Sequence, residues 1–445
     1  MKIDFTIFKA YDVRGVYPEQ INEEAVYNIG RAFVVFNKAK EIIVGRDMRV
    51  FSSSLFDSLT NGITEQGADV IDIGEISTDV LYFASGKLNK PGIMITASHL
   101  SGQYNGLKLC YKGAEPISQE TGIIDIKKLV LQDDFNKSEK QGKIIKKDIL
   151  DEYTKHILTF VDGKSIGPLK VVIDAGNGMA GKIVPLVFRN LQVKIIPLYF
   201  ELDGSFPNHL ANPIELVNLV DLQKKVLSEK ADLGMAFDGD GDRIFFTDEK
   251  AKAIRSSLII ALLVKNILTK HPDEKIIYNV PCSRIVPEII REYNGEPIIE
   301  RVGHSFIKQK MKQTGAIFAG EHSGHYFFRD NFRADSGLIA GLIILEIVSQ
   351  ENKPFSQIIQ KFEKYFSIKE TNFEVEDKQG IMEKIEEKYK HGKISHLDGL
   401  TVEYSDWWFN VRPSNTESLL RLNLEADTEG LMKEKTEEIS QLIKN

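Results

Sequence analysis

The run Asp238-Gly239-Asp240-Gly241-Asp242-Arg243 alternates three carboxylates with two glycines and ends on a guanidinium. Apolar residues flank it, with Leu233, Met235, Ala236 and Phe237 before and Ile244, Phe245 and Phe246 after. That context predicts a tight loop between two strands. Glycine lets the backbone turn sharply, so carboxylates two apart converge instead of pointing to opposite faces. Converging carboxylates repel one another unless a hard cation sits among them. Oxygen donors favour Mg²⁺ or Ca²⁺ over a soft metal. An EF-hand loop would also place acids at positions one, three and five, and Glu249 even falls at position twelve. But its sixth residue should be glycine and is Arg243, and its flanks should be helices. The plain alternative is an acidic turn that binds nothing.

A second motif, Thr96-Ala97-Ser98-His99, follows the apolar run 92–95. A serine in a loop after a strand is placed to be a nucleophile, although the Gly-x-Ser-x-Gly elbow is missing. Gly106 is expected to permit a turn that returns Lys108 toward the serine. Near a divalent metal that lysine is expected to have a lowered pKa and to pass a proton. Taken alone, the serine could equally cap a helix and the lysine sit in solvent.

The third motif, Gly320-Glu321-His322-Ser323-Gly324-His325, gathers a carboxylate, a hydroxyl and two imidazoles after an apolar run. Such groups suit the vicinal hydroxyls of a sugar. Zinc competes, because His322 and His325 lie three apart. It would need a third convergent ligand, and Glu321 is expected to point the other way on a strand-like run. Val302-Gly303-His304-Ser305 is a weaker signal, since a lone histidine is more often structural. The fourth motif is Arg412-Pro413-Ser414-Asn415-Thr416, with Arg421 to follow. Small polar side chains and backbone N–H groups in a turn form an anion nest, and arginine adds a bidentate phosphate clamp. A capping turn with Arg412 exposed is its bland counterpart. No Walker A pattern and no Gly-x-Gly-x-x-Gly supports an ATP or NAD site.

These loops need a scaffold. Short β-branched runs (42–44, 70–73, 93–95, 171–173, 193–198 and 276–278) alternate with helix-like segments such as 23–37 and 55–66. The alternation predicts mostly parallel sheets with helices on both faces and ligands at the strand ends. A chain of 445 residues is long enough for about three or four domains. Polar, lysine-rich stretches place boundaries, giving units at 1–150, 151–252, 253–366 and 367–445. The first three are expected to be α/β and the last a smaller α+β unit. The apolar stretches 258–268 and 338–348 are too short for a bilayer and fit buried helices. A net charge of −7 argues against general nucleic-acid binding. Two distant cysteines, Cys110 and Cys282, and no apolar leader after Met1 point to a reducing, cytoplasmic setting. Neither a membrane nor a nucleic acid is expected as partner.

Together and in this order, the motifs resemble the α-D-phosphohexomutase superfamily, with the phosphomannomutase/phosphoglucomutase branch as the nearest likeness. The resemblance runs end to end. It includes Lys9-Ala10-Tyr11-Asp12-Val13-Arg14-Gly15, Gly45-Arg46-Asp47 and Asp203-Gly204-Ser205-Phe206-Pro207-Asn208-His209 as well as the four loops. It implies three related α/β domains and an α+β fourth around a central cleft. It implies interconversion of hexose 1- and 6-phosphates of mannose or glucose, through phosphoserine at Ser98 and a hexose 1,6-bisphosphate. One Mg²⁺ per chain would be held by Asp238, Asp240, Asp242 and the Ser98 phosphate. Lys108 would be the acid/base lysine, with Arg14, His99 and Arg243 around the reacting phosphate. Glu321 and Ser323 would hold sugar hydroxyls, Tyr11, His304 and His325 would touch substrate, and Arg412, Ser414, Asn415, Thr416 and Arg421 would hold the distal phosphate. A monomer or weak dimer is expected.

The chain departs from the pattern where Leu100-Ser101 replaces Asn-Pro beside the serine and Ser418 replaces a proline. Pro281 stands near where some relatives carry a substrate lysine, a role for which Arg284 is the candidate. Glucosamine-phosphate relatives usually carry glutamine where His322 stands. A binding protein with lost catalysis would be expected to lack Ser98, Lys108 or an acidic-loop carboxylate, and all are present. A metal-dependent phosphatase would have to admit water to the phosphoserine.

Overall fold

The computed structural model describes residues 3–135, 138–414 and 419–444. The first sheet contains β1 (Val13–Val16), β2 (Glu41–Arg46), β3 (Asp69–Glu75), β4 (Gly92–Ile95), β5 (Tyr104–Cys110) and β6 (Ile144–Lys146). The second contains β7 (Leu169–Asp174), β8 (Val193–Leu198), β9 (Leu233–Phe237), β10 (Ile244–Asp248) and β11 (Ala253–Ile254). The third contains β12 (Lys275–Asn279), β13 (Glu296–Glu300), β14 (Phe318–Gly320) and β15 (Tyr326–Phe328). The fourth contains β16 (Phe366–Ser367), β17 (Thr371–Glu374), β18 (Lys393–Ser395), β19 (Leu400–Glu403), β20 (Trp407–Pro413) and β21 (Leu419–Ala426).

One strand order recurs in the first three sheets: β5-β4-β2-β3, β10-β9-β7-β8 and β15-β14-β12-β13. In each, the last three strands named run parallel and the first is antiparallel to its neighbour. The common order makes these three units structural copies of one plan, as the resemblance implied. The sheets are mostly parallel, as expected, and their antiparallel strands have a reason in loop length. The connections 96–103, 238–243 and 321–325 are too short for a parallel crossover, which takes a dozen or more residues. Each must close a hairpin, and each carries one of the chemical motifs. The fourth sheet is wholly antiparallel, with the helices Lys378–Lys388 and Glu429–Lys444.

The lysine-rich stretch 248–252 was read as a boundary. It is the β10–β11 turn, where the Asp248 carboxylate accepts the N–H groups of Lys250 and Lys252. Ala253–Ile254 thus still belongs to the second sheet, and β6, inside the first polar stretch, pairs with β3.

Apolar burial binds the α/β units to one another. A single core includes Ile43 and Met94 of the first unit, Met235 and Phe246 of the second, and Ile276 and Phe318 of the third. The helices Ser256–Lys270 and Gly337–Glu351 are apolar nearly all round, and both lie inside this core. Each large aliphatic side chain removed from water there contributes about 1.5–3 kcal/mol. The last unit keeps its own core around Phe409, Leu422 and Ile439. Among the described residues no helix is long and apolar enough to cross a membrane.

Candidate active site

The β9–β10 hairpin presents the acidic loop. Phe237 pairs with Ile244, and Gly241 turns the chain at φ +76°. Ligand atoms of Asp238, Asp240 and Asp242 lie within 4.8 Å of one another, as the alternating glycines predicted, and all three residues are buried. Cationic side chains hold them. Lys108 Nζ donates to Asp240 Oδ2 at 2.7 Å and to Asp242 Oδ2 at 2.5 Å. Arg243 Nε donates to Asp238 Oδ2 at 2.9 Å. The Oδ1 atoms of Asp240 and Asp242 are buried without a hydrogen-bond partner. Buried oxygens left unpaired are costly, and hard oxygen donors clustered in this way fit a hard divalent cation. Burial and the neighbouring carboxylates push Asp242 well up, while Lys108 and the Thr78 hydroxyl outweigh burial and hold Asp240 far down.

The β4–β5 hairpin brings the serine to this cluster. Met94 pairs with Lys108, so the lysine stands on the strand beside the loop. Burial alone would lower the Lys108 ammonium, but Asp240 and Asp242 raise it well above its ordinary value. Ser98 takes φ +52° and donates its hydroxyl to Asp238 Oδ2 at 2.7 Å. Its Oγ also lies 3.3 Å from His99 Nδ1, and burial with Arg243 and Arg14 keeps that imidazole far below its ordinary pKa. A Cβ at Gly239 would sit 2.4 Å from the Ser98 carbonyl oxygen, so glycine is required for the two loops to meet. Arg243 Nη2 is buried without a hydrogen bond, and Arg14 pairs with Asp12 at 2.5 Å.

The β14–β15 hairpin carries the third loop. Gly324, at φ +85°, reverses the chain, and Glu321 N–H donates to the His325 carbonyl at 3.0 Å. Strand alternation fails across such a turn. Glu321 therefore does not point away as expected, and its Oε2 lies 3.5 Å from His325 Nδ1. Asn279 and the Gly303 N–H donate to Glu321 Oε1, yet burial pushes this carboxyl up to about 7. Ser323 Oγ lies 2.9 Å from His325 Nδ1, and Tyr11 packs edge-on against His304 at 5.3 Å. The two histidines weighed for zinc diverge. His325 Nε2 lies 3.7 Å from Asp242 and 3.8 Å from Asp335, whereas His322 is in the field of Glu370 and Arg412. Among the described residues, the only clusters able to hold a metal are the aspartate triplet and Asp242–His325–Asp335.

On the fourth sheet Arg412 stands opposite Arg421. Both reach Glu370, at 3.0 Å and 3.4 Å. Like charges on facing strands are tolerable when a carboxylate lies between them. Ser414 N–H donates to the Leu419 carbonyl at 2.8 Å. Asn415 and Thr416 lie outside the described residues. Arg284 is no substitute for a substrate lysine in this arrangement. It donates to the carbonyls of Tyr404, Ser405 and Trp407 and ties the third unit to the fourth.

Five groups escaped sequence reasoning. Thr78 donates its hydroxyl to Asp240 Oδ2 at 2.6 Å, and Arg49 holds the serine loop. Buried Lys308 and Asp335 pair at 2.7 Å beside His325, and Glu370 holds the two arginines. None lies in a motif of its own. Arg49 had the nearest signal, two residues beyond Gly45-Arg46-Asp47.

Comparison with known proteins agrees with this arrangement. The three α/β/α domain models of phosphoglucomutase/phosphomannomutase match residues 6–137, 151–252 and 255–365, and the C-terminal domain model matches 370–442. A phosphomannomutase of Methanocaldococcus jannaschii is 39% identical over 443 residues, covering 99% of this chain and 98% of that protein. One from Vibrio cholerae is 38% identical over 457 residues, covering 99% of each. The crystal structure of a phosphoglucomutase/phosphomannomutase family protein from Burkholderia thailandensis superposes with a TM-score of 0.91. It is 32% identical and covers 100% of this chain and 98% of that one. Four domains matched in order, full-length identity near two-fifths, and a serine beside an aspartate triplet lead to one conclusion: the chain belongs to the phosphoglucomutase/phosphomannomutase family and is a phosphohexomutase, an isomerase that transfers phosphate within a sugar.

Proposed function

We propose that the protein interconverts the 1- and 6-phosphates of mannose and glucose, through a phosphorylated Ser98 and a hexose 1,6-bisphosphate that turns over in the cleft. The observation that carries this reading is the 2.7 Å hydrogen bond from Ser98 Oγ to Asp238, inside a buried carboxylate cluster with unpaired oxygens. Asp238, Asp240, Asp242 and an oxygen on Ser98 would hold Mg²⁺, which supplies positive charge to the oxygens of the phosphoryl group in flight.

The protein's residues do the rest. The phosphorus–Oγ bond of Ser98 breaks as a bond forms to the free sugar hydroxyl. Lys108, kept charged by Asp240 and Asp242, gives a proton to the departing Oγ and takes up the one released by the attacking sugar hydroxyl, and the return transfer reverses both moves. Arg14 and Arg243 add charge where the oxygens become most negative, and His99 stands neutral beside Oγ. Glu321 and Ser323 hold sugar hydroxyls, with Tyr11, His304 and His325 against the ring. Arg412, Ser414, Asn415, Thr416 and Arg421 hold whichever phosphate is not reacting. A separately cored fourth unit suits this clamp, because it must accept either end of the sugar and close out water. The names of the similar proteins from M. jannaschii and V. cholerae support mannose phosphate as a substrate.

The test is direct. Incubation with hexose 1,6-bisphosphate should add one phosphoryl group to the parent, read by intact mass, and none to Ser98→Ala. Ser98→Ala should also lose turnover, and substantial residual activity would refute the phosphoserine. Comparing kcat/KM for mannose, glucose, glucosamine and N-acetylglucosamine 1-phosphates fixes the sugar. A preference for glucosamine would overturn the mannose/glucose assignment and leave the chemistry standing.

A further inference from the structure

One buried guanidinium directs all but one of its N–H groups at the serine loop and the start of the strand after it. Arg49 Nη2 donates to the carbonyls of Ser98 at 2.7 Å and Leu100 at 2.6 Å. Its Nη1 donates to those of Ser101 at 2.8 Å and Tyr104 at 2.9 Å. Its Nε donates to Asp47 Oδ2 at 3.1 Å. Arginine has five N–H donors, and all are used here. Asp47 fixes the guanidinium in turn, accepting the Arg49 backbone N–H at 3.1 Å and the Ser52 hydroxyl at 2.7 Å through its other oxygen. The Phe206 ring lies under the guanidinium at 5.1 Å. Gly204 closes the stack, since a Cβ there would sit 2.4 Å from Arg49 Cα. The segment 203–209, which resembles a family motif yet carries no proposed chemistry, thus presses the second unit against Arg49.

Four carbonyl dipoles aimed at one point repel one another unless a cation lies at the focus. The loop they belong to has no proline between Thr96 and Tyr104, and its serine holds φ +52°, a conformation L residues rarely adopt. We infer that Arg49 is the positioning residue of the serine loop, whose guanidinium folds the backbone around itself and aims Ser98 Oγ at Asp238. The inference rests on the reading of Ser98 as phosphoryl carrier. Lysine cannot take over, because one ammonium offers three donors from a single point and cannot span four carbonyls and a carboxylate.

The experiment uses the full chain with Mg²⁺ and compares Arg49→Lys with the parent. A misplacement of about 1 Å at a reacting group costs on the order of a hundredfold. We expect kcat for glucose 1-phosphate and mannose 1-phosphate to fall roughly ten- to hundredfold, with KM unchanged within about twofold because the phosphate clamp is untouched. Amide hydrogen exchange should accelerate within 98–104 and not in the other three units. A kcat within about twofold of the parent, or unchanged protection of 98–104, would overturn the role. If Arg49→Lys does not fold, Phe206→Leu keeps every hydrogen bond and removes only the ring. It should lower kcat about fivefold by loosening the stack, and no fall there would also overturn it. Ser98→Ala separates the two claims. An active Ser98→Ala sinks the phosphoserine, whereas an inactive one beside a fully active Arg49→Lys sinks only the role of Arg49.

Discussion

Asp79 lies in the first turn of the helix Thr78–Leu88 and is fully buried. Its carboxylate accepts hydroxyl hydrogen bonds from Ser77, from Tyr153 at 2.6 Å and from Ser336 at 2.8 Å. These donors come from the first unit, from the helix Leu150–Ile157 and from the cap of the helix Gly337–Glu351. Burial outweighs all three and pushes the carboxyl up to about 6. Folded Asp79 therefore binds its proton more tightly than the unfolded chain does. Its contribution is fully present below about pH 4 and is lost as pH rises toward about 6. A shift of about two units corresponds to roughly 3 kcal/mol across that window. Asp79→Asn keeps the shape and cannot titrate. The difference in unfolding free energy between parent and variant should thus shrink by roughly 3 kcal/mol between pH 4 and pH 7. Urea denaturation followed by far-ultraviolet circular dichroism measures it, because Trp407 and Trp408 would report only the fourth unit. Parallel stability curves would refute the reasoning.

Thr78→Val removes the hydroxyl that donates to Asp240 at 2.6 Å and keeps the side-chain volume. A hydrogen bond to a charged acceptor contributes about 1.5–3 kcal/mol. The half-saturating Mg²⁺ concentration should therefore rise about tenfold while KM for the sugar phosphate holds. Thr78→Ser should restore it, and an unchanged Mg²⁺ titration would count against the link. Arg412→Ala removes the guanidinium that pairs with Glu370. KM for mannose and glucose phosphates should rise together by roughly ten- to hundredfold, and an effect on neither would remove Arg412 from the clamp.

Legibility of the fold follows the range of the interactions that make it. The helix Glu23–Asn37 was read with its bounds because its signals are local: Asn22 accepts the Ala25 N–H at its start, and Lys38 turns left-handed at its end. The β-branched runs became strands for the same reason. Strand order was not legible, because pairing β4 with β2 rather than β3 is decided by burial across the whole sheet. The edge read at 252 coincides with the end of the second domain match, although Ala253–Ile254 still pairs with β10. Charged residues in a row suit a tight turn as well as a linker, and only the partner strand tells them apart.

The site divides along the same line. Ser98, the aspartate triplet and Glu321 were legible because each loop must reverse within a few residues, which concentrates glycines and polar groups in adjacent positions. The groups that tune them come from elsewhere. Thr78 reaches Asp240 across 162 positions and Lys108 reaches it across 132. Glu370 lies 42 positions from Arg412 and on the far side of an undistinguished stretch. Such partners need only the right reach and charge, so any threonine, lysine or glutamate would have read the same. Lys108 shows both halves of this division. Its position was fixed by a local turn, but its charge state is set by carboxylates from another unit. A residue's place can follow from its neighbours in the chain, whereas its protonation follows from its neighbours in space.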